Sequence, residues 1–309
     1  MSGPFFDGIL NIDKPLDMTS MDVIRRIKRL SAQKHVGHGG TLDPQATGVF
    51  PVLFGQATRI MEYLVASAKT YRAVVKLGVT TDTYDSAGKV VRTGDASGIT
   101  RHEIERALAA FRGNIYQVPP MFSALKREGK RLYDLARMGI EVPRQPRKVE
   151  VLRIDLTEWS QPDMVLEIEC GRGVYIRALA HDLGEALACG AYLKALTRLK
   201  TGPFSIREAI PLPQLEDSLK EGSWRELLYP IDYPLLHMKA VAVDSRIEHL
   251  ILSGRPLPLT LRIPHSEAYQ ECRAYSSDGR FLGTVRFDPL RDQWLPHKMF
   301  ASPSVEEEV

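Results

Sequence analysis

One carboxylate is placed for chemistry before any other residue in the chain. Asp43 follows the run Val36-Gly37-His38-Gly39-Gly40-Thr41-Leu42 and precedes Pro44, so three glycines and a histidine fall within four positions just ahead of it. Glycine lets backbone approach a flat polar ligand and reach positive φ, and an Asp-Pro turn holds a carboxylate out from the chain. A carboxylate held this way can act as a nucleophile. On the loop alone the plainer alternative stays open, since Asp and Pro are routine turn and cap residues.

Other chemistries fit the loop less well. His35 and His38 lack a nearby cysteine or third histidine, so no metal is expected. No Gly-Lys-Ser/Thr follows the glycines, as a phosphate-binding loop requires, and Leu42 stands where a dinucleotide fingerprint needs its third glycine. A glycosidase-like hydrolase wants a second carboxylate as acid, and the run offers none.

Elements on either side must position the loop. Residues 8–12 read as an opening strand. Thr19 with Asp22 forms a capping box for a helix that turns Val23, Ile24, Ile27 and Leu30 inward and its arginines and lysine outward. Residues 71–79 alternate, with Tyr71, Ala73, Val75, Leu77 and Val79 on one face of a half-buried strand. Thr100 and Glu103 start another helix. Residues 149–156 and 165–170 read as strands paired across the turn at 161–163, and residues 176–188 as a helix with Ile176, Leu179, Ala180, Leu183 and Leu187 inward. Prolines at 119, 120, 143 and 146 bracket a short basic helix over 132–138, which marks 117–148 as an inserted arm. From about 238 the pattern turns to short β-like runs punctuated by Gly and Pro, a small all-β module over 238–298, and the chain ends in an acidic tail over 299–309.

A length of 309 residues allows two domains, here 1–235 and the β module. The formal net charge is only +3, but five basic residues and no acid lie in 23–42, and eight basics against three acids in 117–148. The remainder is therefore net −7. Two basic patches on an acidic body point to an anionic polymer as partner, with a solvated helix face as the alternative. Three widely spaced cysteines without CxxC pairing fit free thiols in a reducing cytoplasm. No stretch of about 18 apolar residues occurs and no secretory leader is read, so no membrane association is expected.

Five ordered blocks carry a resemblance. Gly37-His38-Gly39-Gly40-Thr41-Leu42-Asp43-Pro44 with Gly55-Gln56-Ala57-Thr58-Arg59 resembles the signature of the TruB-type tRNA pseudouridine synthases. Asp13-Lys14-Pro15 with Thr19-Ser20, Lys69-Thr70-Tyr71-Arg72-Ala73, the block from Gln117 to Lys126, and Gly173-Val174-Tyr175-Ile176-Arg177 through Gly184 extend it. The resemblance implies an α+β fold, with a mixed-sheet catalytic domain, helices and the basic arm, and places the β module where the family carries its PUA domain. It implies isomerisation of a uridine in the TψC stem-loop of tRNA by a monomer without cofactor, and an RNA-folding activity of the chaperone kind as an alternative. By the same resemblance Asp43 is the catalytic aspartate, Arg177 its partner, Tyr71 the residue stacked on the flipped base, and His38 the filler of the vacated space. Lys14, Tyr175 and Leu196 match pocket positions. The glycines read as room for a displaced base. Val174, Asp17 and Phe122 depart from the usual threonine, glycine and tyrosine.

Overall fold

The computed structural model describes residues 6–300 apart from 124, 128 and 259–268. A ten-stranded mixed sheet organises residues 8–211. Its main path runs Ile210–Pro211, Gly8–Lys14, Ala46–Phe54, Ala191–Thr201, Lys69–Leu77, Asp163–Cys170, Arg147–Ser160 and Gly113–Gln117. Strand Ala191–Thr201 lies at the centre, parallel to Ala46–Phe54 on one side and antiparallel to Lys69–Leu77 on the other.

The capping box at Thr19 forms as expected and opens helix Ser20–Ser31, whose Val23, Ile24 and Ile27 are buried while Arg25, Arg26, Lys28 and Arg29 face out. Thr100 caps helix Arg101–Leu108 in the same way. The hairpin expected across 161–163 pairs Ser160 with Asp163. The alternating run at 71–79 divides: the strand ends at Leu77, Gly78 takes φ +84°, and Val79 opens a separate strand, Val79–Thr81, against Val90–Thr93. Period-two alternation carries no signal of that break, because the break lies in one backbone angle.

Two apolar cores flank the central strand. One gathers strands 69–77, 147–160 and 163–170 under helices Arg101–Leu108 and Ile176–Ala186. The other packs Gly8–Lys14 and Ala46–Phe54 against helices Ser20–Ser31 and Leu212–Glu221. Tyr71 and Leu196 are half-buried and touch both cores, so they mark the seam where the cores part.

The C-terminal module is a four-stranded sheet in the order Ala240–Val243, Glu271–Ser276, Phe281–Asp288, Gln293–Met299, with helix Ser245–Leu252 packed on it. The tail expected from 299 begins later: Met299 ends the last strand and Phe300 is buried with Ile9, Val49 and Leu235 of the larger domain. Residues 301–309 lie outside the described residues. Polar contacts join the modules as well. Tyr63 donates to Glu271 Oε2, Lys298 Nζ sits 3.2 Å from Glu62, and Arg59 donates to the Met299 carbonyl. Among the described residues no helix is long and apolar enough to cross a membrane.

Strand Ala46–Phe54 makes an unusual demand at Gly48. Its φ is +102°, and a Cβ there would lie 2.3 Å from the Arg198 carbonyl oxygen. Gly48→Ala is therefore expected to destabilise the fold by about 3 kcal/mol or more, read from the urea midpoint. An unchanged midpoint would show that the two strands can separate there without loss.

Candidate active site

The loop that carries Asp43 fills a gap in the sheet. One edge of Ala46–Phe54 pairs along its length with Gly8–Lys14. The other edge pairs with two strands, Ala191–Thr201 over 46–48 and Val36–His38 over 52–54. Val49 and Pro51 are left between them. The Pro51 carbonyl accepts from Gly39 N–H at 2.9 Å, and the Val49 carbonyl from Arg198 Nε at 2.7 Å.

Arg198 is the anchor, and sequence reasoning missed it. Its side chain is 1% exposed, and the guanidinium also donates to Gly40 O at 3.2 Å and Thr41 O at 3.4 Å. Burial lowers its pKa, while the Tyr71 hydroxyl beside it raises it. A basic residue on a strand between Lys194 and Lys200 looks like a solvent-facing one, and only the long-range pairing of residues 46–48 with 196–198 buries it.

Four more ties fix the turn. Ser20 Oγ donates to Leu42 O and accepts from Leu42 N–H, at 3.0 and 2.9 Å. Asp17 N–H donates to Pro44 O at 2.9 Å. Ala46 N–H donates to Asp43 O at 3.0 Å, so the Asp-Pro turn forms. Lys14 is fully buried, and its ammonium donates to Pro15 O, Met18 O and Pro44 O at 2.8, 2.6 and 3.5 Å. Burial pushes Lys14 down to about 8, with Asp43 opposing the shift. Its donors face backbone rather than the cleft, so it shapes the Asp43 turn and does not reach into the pocket.

Two of the three glycines are required by packing. A Cβ at Gly37 would meet Met61 Cε at 2.7 Å, and one at Gly39 would meet Leu64 at 2.9 Å. Behind those two glycines the space is taken by helix Met61–Ala66, whereas a Cβ at Gly40 would meet only Arg198 Nη1, at 3.5 Å. His38 lies half-buried on strand Val36–His38, stacked on Phe50 with centroids 5.2 Å apart, and its Nδ1 accepts from Gly40 N–H at 3.3 Å. Burial and then Arg198 lower its pKa, so the ring is neutral near pH 7.

Asp43 and Arg177, 134 positions apart in the chain, come together as expected. Arg177 is 4% exposed on helix Ile176–Ala186, and its Nε lies 3.3 Å from Asp43 Oδ2. A second carboxylate, missed in the sequence, shares it: Asp85 Oδ2 lies 3.7 Å from Arg177 Nη1. Asp85 Oδ1 accepts from Thr83 Oγ1 at 2.6 Å and Ala87 N–H at 3.0 Å, and Arg177 donates to the Phe122 and Thr83 carbonyls. Asp85 sits in a loop of turn residues, so its type gave no sign of this contact.

Crowding raises the Asp43 carboxyl above its ordinary range; Arg177 pulls it back, Asp85 pushes it up and Lys14 pulls it down. The side chain is nevertheless 43% open to the cleft, so water tempers the upward push until something covers the mouth. Ala46, Asp85, Leu193 and Leu196 line the cleft beside Asp43. Tyr71, with its hydroxyl at Arg198, and Tyr175, whose ring faces Arg177 at 5.9 Å, complete the surroundings. Gln117 clamps the Tyr175 backbone, accepting from its N–H at 2.8 Å and donating to its carbonyl at 3.0 Å.

A model described as the TruB family pseudouridylate synthase N-terminal domain matches residues 28–176, and one described as the tRNA pseudouridylate synthase B C-terminal domain matches 177–236. A tRNA pseudouridine synthase B of Dehalococcoides mccartyi (strain CBDB1) is 42% identical over 299 residues, 96% of this chain and 98% of its own. The chain belongs to the TruB family. A second TruB relative, from Geotalea uraniireducens (strain Rf4), is 46% identical over 248 residues, 80% of each chain. A chain in the crystal structure of a Cbf5-Nop10-Gar1 complex superposes with a TM-score of 0.72 at 26% identity, over 91% of this chain and 78% of that one.

Two of the departures from the TruB pattern have a structural reading. Asp17 takes φ +59°, where glycine is unstrained, and its carboxylate accepts from Gln45 Nε2 at 2.9 Å. Phe122 meets Arg177 through its carbonyl, so the missing tyrosine hydroxyl leaves that contact intact. Val174 packs against the first core.

Truncating the anchor leaves the buried Val49 carbonyl and the part-buried Gly40 and Thr41 carbonyls without its donors. Arg198→Met is expected to lower stability by about 2–4 kcal/mol in urea unfolding. A loss below about 0.5 kcal/mol would show that the loop holds without the guanidinium.

Proposed function

We propose that the protein isomerises one uridine in the TψC loop of tRNA, position 55 by family resemblance, to pseudouridine, as a cytoplasmic monomer needing no metal or cofactor. The observation that carries this reading is the Asp43 carboxylate, open to the cleft and held there by Arg177, with Tyr71 and Leu196 at the seam behind it. A base in a folded RNA loop must leave its stack to reach such a cleft, at a cost of a few kcal/mol. Tyr71 offers a face for the extruded uracil, Leu196 and Tyr175 bound it, and the His38 ring, already fixed on Phe50, fills the space it leaves.

In the reaction the C1′–N1 bond breaks with Asp43 acting on the ribose. The uracil turns within the closed cleft, C1′–C5 forms, and the hydrogen on C5 is released while N1 gains one. Water must stay out while the base is detached, and RNA over the open mouth supplies that exclusion. Arg177 keeps Asp43 ionised as the cleft dries. The exposed basic face of helix Ser20–Ser31 and the arm offer charge for the phosphate backbone.

Asp43→Asn is expected to abolish tritium release from 5-tritiated uridine in tRNA while tRNA binding survives. Full turnover by that variant would sink the assignment. Asp43 acts ionised, and its pKa lies above the usual carboxylate value because of burial. Activity is therefore lost as pH falls through that raised value, and the acid limb of the single-turnover rate should have a midpoint above about 4. A midpoint at or below an exposed aspartate's would contradict a reacting carboxylate whose pKa the cleft raises.

A further inference from the structure

Helix Ile176–Ala186 makes a second contact with the loop that carries Asp85. Arg177 and His181 stand four residues apart and share one helix face. Loop 82–88 meets that face with two consecutive residues. Asp85 Oδ2 lies 3.7 Å from Arg177 Nη1, and the Tyr84 ring lies flat on the His181 imidazole, with centroids 3.9 Å apart and planes 10° from parallel.

Tyr84 holds φ +65°, a conformation an aromatic residue keeps only where its surroundings enforce it. Its N–H donates to Thr81 O at 3.2 Å, and its carbonyl accepts from Leu193 N–H at 2.9 Å. The stack on His181 is the third restraint. His181 contributes its ring rather than a hydrogen bond there, for its Nδ1 is buried without a partner. Burial lowers its pKa against the opposing pull of Glu185, so a neutral ring faces the tyrosine.

The geometry points to His181 and Tyr84 as positioning residues for the isomerisation. Their stack holds loop 82–88 in the conformation that keeps Asp85 on Arg177, and so keeps Arg177 divided between two carboxylates. The inference rests on Asp43 being the reacting carboxylate. At present Arg177 Nε is 3.3 Å from Asp43 Oδ2 yet has no aligned hydrogen-bond acceptor. With Asp85 displaced, the guanidinium is free to turn its fork onto Asp43 as a bidentate pair. Both Asp43 oxygens are then withdrawn from the ribose.

Single-turnover tritium release and tRNA binding by the full chain test this, on His181→Ala, His181→Phe and Tyr84→Gly, with Asp43→Asn alongside. Glycine at 84 adopts φ +65° freely, so that variant removes the ring without adding strain, and it decides the matter if a melting curve shows His181→Ala unfolded. Each ring deletion is expected to slow the bound-state rate about ten-fold or more, with tRNA affinity within about two-fold. His181→Phe restores the rate to within about three-fold. Unchanged rates in the folded ring deletions, a loss carried by affinity alone, or a phenylalanine variant as slow as the alanine one would each overturn the assignment. An active Asp43→Asn would overturn the reading of the reacting carboxylate instead, whatever His181 does.

Discussion

A buried guanidinium in a fork between strands is the constraint on which the site depends. Strands Val36–His38 and Ala191–Thr201 leave the same edge of Ala46–Phe54 in different places, and the backbone between them would be stranded without donors. Arg198 supplies them to Val49, Gly40 and Thr41 at once. Its partners are carbonyls and the Tyr71 hydroxyl, so the desolvation of the charge is only partly offset. The same group thereby sets the glycine loop ahead of Asp43 and the tyrosine behind the cleft. Lys14 does related work on the far side of the turn, where it binds the Pro44 carbonyl.

Arg177 answers to a different logic. It lies between Asp43 and Asp85, and neither contact is a close, aligned pair. A guanidinium spread over two carboxylates and two carbonyls keeps Asp43 charged without sequestering it. The open side of Asp43 is the face toward the cleft, where a substrate has to arrive.

Much of this was legible in the residues, in an uneven way. Asp43, Tyr71 and Arg177 were found through ordered motifs, and the chain does bring the aspartate and arginine together. The helices were readable because Thr19 and Thr100 carry capping boxes, a purely local signal. Asp85 and Arg198 were not found, because each looks ordinary in its own stretch: one sits in a polar turn, the other on a strand of alternating basic residues. Their meaning comes from partners over ninety and about 150 positions away. The packing behind Gly37 and Gly39 was not legible for the same reason. Their missing side chains are filled by Met61 and Leu64, neighbours that the loop's own sequence does not announce.

The parallel pairing of residues 46–48 with 196–198 also sets a clock on biosynthesis. A nascent chain that has emerged only as far as the arm holds Asp43 but lacks the strand that closes its fork and the helix that supplies Arg177. Such a fragment has nothing to hold the turn in place. The centre can assemble only after strand Ala191–Thr201 has been synthesised, about two thirds of the way along these 309 residues. Until then the growing chain carries the basic face of helix Ser20–Ser31 without the assembled Asp43–Arg177 pair.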